Sequence, residues 1–149
     1  MADYPIARGF HFRADFESIT DEKNDFMFQE ISGLSVDVET EEVVEGGENR
    51  FVHKLPVRTK YADITLKRAI AVGTALNTWI LDAIYKYKYR PTIVNVSLLN
   101  ENHQPLITWK IVNAFPIQWS VTDFNAESDS LVIESLKLNY DYFTIEKPR

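Results

Sequence analysis

The 149-residue chain is predicted to be mainly β, a β-barrel or sandwich of seven to eight mostly antiparallel strands with one flanking α-helix at about 74–88. Three observations lead there. Period-two alternation of apolar and polar residues recurs along most of the chain, with short polar turns between the runs. A single stretch carries the three-and-four spacing of a helix. No internal repeat or linker divides the chain, and at this length one domain, 1–149, buries roughly two-thirds of its unfolded surface.

Each element follows from its own pattern. Between Ile6 and Phe16, Phe10, Phe12, Ala14 and Phe16 take one parity, and His11, Arg13 and Asp15 take the other. Polar SITDEKND reads as a turn, FMFQEI as a short strand, and Gly33 as a break. Leu34, Val36 and Val38 then oppose Ser35, Asp37 and Glu39. After Thr40 the period fades, so 41–54 is expected to be a long mobile or strand-like loop around Gly46 and Gly47, and loops of that length tend to be functional or disordered.

From Tyr61 to Ile70 alternation resumes, with Ala62, Ile64, Leu66 and Ile70 on the apolar face. Arg68 interrupts that face, and must either end the strand in solvent or meet a buried carboxylate. Thr74 is an N-cap for a helix whose face is Leu76, Trp79, Ile80, Ala83, Ile84 and Tyr87, with Pro91 ending it. Lys86, Lys88 and Arg90 then fall near the helix C-terminus, where positive charge is favoured. Thr92–Leu99 and Pro105–Phe115 read as a hairpin over NENHQ. A bend follows at Pro116, then a strand with Ile117, Trp119 and Val121 on one side, and a last strand from about Ser130 to Ile145.

Composition narrows the function. A net charge of −6 argues against specific nucleic-acid binding, which needs a basic footprint. The absence of cysteine removes disulfides, thiol catalysis and thiolate metal sites. No run of about 18 apolar residues suggests stable membrane insertion, and no apolar segment behind a basic start suggests a signal peptide. His11, His53 and His103 have no metal-ligand spacing. Asp37, Glu39 and Glu41 share a strand face without the ligand pattern or central glycine of a calcium loop. Phosphate-loop, dinucleotide and nucleophile-elbow motifs are missing. No catalytic residue, metal site or cofactor is therefore expected. Paired carboxylates need no local motif, so Asp37 and Glu39 are the residues an enzyme reading would test.

Six stretches in order carry a resemblance: GFHFRADF, FQEISGLSVDVETEEV, KLPVRTKYADITLKRAI, ALNTWI, VNAFPIQW and DFNAESDSLVIESLKLNYDYF. Together they resemble the tail-tube protein family of contractile phage tails and phage-like injection systems, related in fold to the haemolysin-coregulated tube protein of type VI secretion. Val57 after KLP and Ala69 after LKR stand where glycines are usual in that family.

The resemblance implies a structural, non-enzymatic subunit made in the bacterial cytoplasm that assembles as stacked hexameric rings into a hollow conduit. A contracting sheath drives that conduit through a target envelope. Implied partners are other copies of the chain, tube paralogues, a sheath protein, a baseplate hub or spike, and cargo in the lumen. The loop at 41–54 is expected to reach a neighbouring subunit, with Glu42, Glu45, Gly46, Gly47, Glu48, Asn49, Arg50, Lys60 and Lys67 as interface residues. The alternatives are an initiator or adaptor ring joining tube to hub and, more distantly, a monomeric small-ligand barrel.

Overall fold

The computed structural model describes residues 12–19, 28–44, 46–47, 52–70, 73–124, 126–127 and 131–146. In order these form β1 (Phe12–Phe16), β2 (Glu30–Ser32), β3 (Val36–Val43), β4 (His53–Tyr61), β5 (Ile64–Ala69), α1 (Ala75–Lys86), β6 (Thr92–Leu99), β7 (Pro105–Val121), β8 (Ile133–Asn139) and β9 (Tyr142–Glu146). The proposed strand segment before Phe12 and the residues Phe26 and Met27 lie outside the described residues.

The strands form a sandwich with no closed barrel. One sheet runs β1-β6-β7-β9 and the other β7-β8-β5-β2, all antiparallel. They share β7, whose 17 residues were expected as two strands broken at Pro116. Pro116 instead sits inside the strand at a register shift. There the missing N–H is tolerated at a bulge, and the chain passes from pairing with β6 and β9 to pairing with β8.

The expected last strand shows the reverse. It divides at Tyr140 and Asp141 into β8 and β9, both laid along β7. At the break Asn113 takes a left-handed backbone (φ 57°) and donates to Asp141 Oδ2 at 2.6 Å, so the two strands kink together. Nine strands result among the described residues, where seven to eight were expected.

The core lies between the sheets and under α1. Phe16, Val94, Val96 and Ile111 come from the first sheet, and Ile64, Leu66, Leu136 and Leu138 from the second. Leu76, Trp79, Ile80 and Ala83 come from α1, all of them nearly or fully inaccessible. Phe16 packs edge-on to Trp79 with ring centroids 5.7 Å apart, an arrangement that adds to the area both rings bury.

Thr74 caps the helix as expected, its hydroxyl accepting from Asn77 N at 3.2 Å. The C-terminal end differs. The helix stops at Lys86, and Tyr87 turns left-handed (φ 54°) and leaves the buried face it was assigned to.

The 55–70 stretch also differs. It is not one strand: β4 ends at Tyr61, Ala62 is exposed, and β5 begins at Ile64. Gly33 and Asp63 mark the two crossings between sandwich and hairpin. At Gly33 (φ +93°) a Cβ would lie 2.2 Å from the Asp63 carbonyl oxygen, so only glycine lets the outgoing and returning chains touch.

Candidate assembly surface

Among the described residues, strands β3 and β4 pair only with each other and form a two-stranded arm outside the sandwich. Every residue of β3 is exposed, as is every residue of β4 before Tyr61. The 41–54 segment is the far part of this arm. Residues 41–43 and 53–54 are strand, and Gly46 and Gly47 form a turn. Alternation faded at Thr40 because nothing in the same chain buries either face beyond it.

A hairpin this bare is marginal by itself in water, and the apolar load on it sharpens the point. Val38 is 56% exposed, Leu55 53%, Val57 51% and Val44 74%. Val36, Val43 and Val52 add to the same exposed set. Sequence reasoning selected the glycines and charges of this segment and passed over these side chains. Their signal was present as the alternation of Val36 and Val38, but its buried side was assumed to lie within the chain.

Opposite charges face each other across the arm. Asp37 lies opposite Lys60, Glu42 opposite Lys54, and Glu39 opposite Arg58, whose Nε is 3.3 Å from its carboxylate. Of the expected interface residues, Glu42, Gly46, Gly47 and Lys60 therefore come together on the arm. Lys67 does not: it sits on β5 in the sandwich, 3.8 Å from Glu30 of edge strand β2. Glu45, Glu48, Asn49 and Arg50 lie outside the described residues.

Within the sandwich, Arg68 settles between the two readings left open for it. It is 3% exposed and its Nε donates to Glu134 Oε1 on β8. Its second guanidinium nitrogen donates to Asn77 Oδ1 at 3.1 Å, and Trp119 Nε1 donates to the other Glu134 oxygen at 3.3 Å. Phe28 lies under the guanidinium with its centroid 5.4 Å away. The group joins both strands to α1 and has its hydrogen bonds satisfied, which is the condition for keeping an ion pair in a core.

Little here offers chemistry. Among the described residues no three His, Asp or Glu side chains gather as metal ligands. A shallow, open groove of about 230 Å³ lined by Ile70, Asn77, Leu81 and Trp119 is apolar and smaller than typical small-molecule sites. No helix among the described residues is long and apolar enough to cross a membrane.

This fold is similar to that of solved components of contractile injection systems. A component of the anti-feeding prophage baseplate, solved by cryo-EM with sixfold symmetrisation, matches with a TM-score of 0.84 and 27% identity, covering 99% of this chain and 98% of that one. A chain from the sheath/tube terminator of the extracellular contractile injection system PVC matches at 0.80 and 27%, covering 98% and 99%. Hcp1 from Flavobacterium johnsoniae shares the fold alone, with a TM-score of 0.54 and 11% identity, covering 93% of this chain and 97% of that one. Among curated proteins no sequence is similar enough to count as a match.

The family model described as T4-like virus tail tube protein gp19 matches residues 8–144. The chain belongs to that tail-tube family.

Proposed function

We propose that the chain is a structural subunit of the inner tube of a contractile injection system or phage tail. It assembles as hexameric rings that stack into a hollow conduit, and a contracting sheath drives the conduit through a target envelope. The observation that carries this reading is the β3–β4 arm. Two open strand edges and a set of exposed valines and a leucine have no cover in their own chain, and strand edges of this kind are ready templates for another chain. Similarity to a sixfold-symmetrised assembly supports the ring, and similarity to a chain of a PVC sheath/tube terminator supports a sheath partner. The mechanism is mechanical and uses no cofactor. The subunit is made in the cytoplasm and works in a particle outside it.

A second reading has its own support. The baseplate component and the anti-feeding prophage cap, a tube-terminating structure, are both similar to this chain, which supports an adaptor or end ring as the second reading.

Electron microscopy of concentrated protein, alone and co-expressed with its sheath and baseplate genes, tests both. Long tubes support the repeating subunit, and single rings bound at a baseplate or tube end support the adaptor. Protein that stays monomeric under all of these conditions overturns both.

A further inference from the structure

The arm changes sides along its length, and the change comes from a single residue. Residues directly opposite each other on antiparallel strands share a face, and neighbours along a strand alternate between faces. Val36 pairs with Tyr61 and Val38 with Thr59, so these four lie on one face of the arm, while Asp37, Glu39, Arg58 and Lys60 lie on the other. The register then shifts. Glu39 pairs with Arg58 but Thr40 pairs with Pro56, which leaves Val57 as the extra residue of a bulge.

Beyond the bulge the two faces exchange character. Thr40, Glu42, Lys54 and Pro56 continue the face of Val36 and Val38. Leu55, paired with Glu41, and Val43, paired with His53, continue the face of Asp37 and Glu39. Val36 and Val38 thus form a near apolar patch on one side, and Leu55 and Val43 a far patch on the opposite side. All four side chains are exposed in the single chain.

The bulge is what separates the patches. Were Val57 paired with Thr40, Leu55 would fall opposite Glu42 and join Val36, Val38 and Val57 in one stripe, because a one-residue change of register moves a side chain to the other face. A neighbour lying along one side of the arm would be met best by that stripe. The extra residue instead divides the apolar surface between two sides.

The near patch continues the chain's own core. Tyr61, at its root, meets the Phe143 ring edge-on at 5.0 Å and the Tyr140 ring at 6.0 Å, and Val36 and Val38 carry the same row out into the open. The far patch faces away from that row and needs cover from the other side. The groove beside α1, shallow and about 230 Å³, cannot take an arm about 10 Å thick on both faces at once.

Resting on the self-assembly reading above, we propose that the arm of one copy lies between two others, the first covering Val36 and Val38 and the second covering Leu55 and Val43. Copies of this chain are the occupants because chains repeated around a ring stand side by side at every junction. An arm entering a junction therefore meets one copy on either hand.

The absence of cysteine makes the arrangement directly testable. Val38→Cys, Leu55→Cys and the double variant are each labelled with a short thiol-reactive photocrosslinker, diluted into a large excess of wild-type chain, assembled and irradiated. On a denaturing gel each single variant is expected to give a product of two chains, and the double variant a product of three. Val36→Cys with Val43→Cys reads the same two faces independently. As a second measurement, the same thiols left unlabelled are expected to lose their reactivity toward a bulky maleimide once the chains assemble. Assemblies in which both double variants give products of two chains only overturn the two-sided arm and leave the tube reading standing. So does a thiol at either patch that stays reactive in the assemblies, or crosslinking of the Leu55→Cys label to the sheath in place of a second copy. A wild-type chain that never assembles overturns the two-sided arm and the tube reading together.

Discussion

Arg68 and Glu134 face each other in register across β5 and β8, both 3% exposed, where the two rungs before them are Leu66 against Leu136 and Ile64 against Leu138. The ion pair thus takes the place of a third apolar rung. Its neighbours supply the remaining hydrogen bonds, from Asn77 on α1 and Trp119 on β7.

Removing one partner strands a buried charge. Glu134→Leu is expected to lower stability by about 3–5 kcal/mol, and the double change Arg68→Met with Glu134→Leu to recover most of that loss. Urea denaturation of the three chains checks it. A single substitution as mild as an ordinary surface change would show that water reaches the pair.

Gly33 and Gly47 share a positive φ, +93° and +92°, but differ in what surrounds them. Alanine at Gly47 meets open space and is expected to cost about 1 kcal/mol through backbone strain alone. Alanine at Gly33 adds a collision with the Asp63 carbonyl, so its loss is expected to exceed roughly 3 kcal/mol and to loosen the base of the arm. Thermal melts of both variants rank them. Equal losses would mean the two crossings separate without cost.

Tyr140 gives the fold an alkaline limit. Its hydroxyl is buried without a hydrogen-bond partner among the described residues, and burial, with the nearby charges of Asp63 and Tyr61, pushes its pKa from 10.0 up to about 12. A raised pKa means the folded state favours the neutral phenol. That contribution is complete below pH 10 and is lost as pH rises toward about 12. Tyr140→Phe is expected to flatten this part of the stability profile. At neutral pH it should be neutral or stabilising by up to about 1 kcal/mol, since it removes an unsatisfied group. Denaturation midpoints between pH 8 and pH 12 decide it.

What was legible in the sequence tracks what one chain buries. β1, β6 and the helix were readable because Ala14, Phe16, Val94, Val96, Leu76 and Trp79 are covered by residues of their own chain, which imposes a clean period. The distal arm read as a loop because Glu41, Glu42 and Val43 are exposed on both faces, and period two carries information only where one face is covered. Pro116 and Tyr140-Asp141 were read the wrong way round. A proline at a bulge inside β7 and a kink with no proline at Asp141 are settled by pairing partners distant in sequence. Glu134, the partner of Arg68, was hidden for the same reason: 66 residues separate them.

The arm provides the sharpest test of whether that exposed surface belongs to an interface. Val38 and Val57 are about half exposed in the single chain, so Val38→Asp and Val57→Asp should leave its thermal stability within roughly 0.5 kcal/mol of the parent. Buried against a neighbour, each valine would contribute roughly 1–2 kcal/mol, and a carboxylate forced into the same place would cost more than that. Both variants are therefore expected to remain folded and to fail to form rings or tubes by electron microscopy. Lys67→Glu serves as the graded comparison. It opposes Glu30 in an exposed pair worth at most about 1 kcal/mol, so any effect on assembly should be small and should fade as salt is raised. Normal assembly by the valine variants would remove the arm from the interface, while unfolding of the isolated chain would show that the arm packs on its own sandwich.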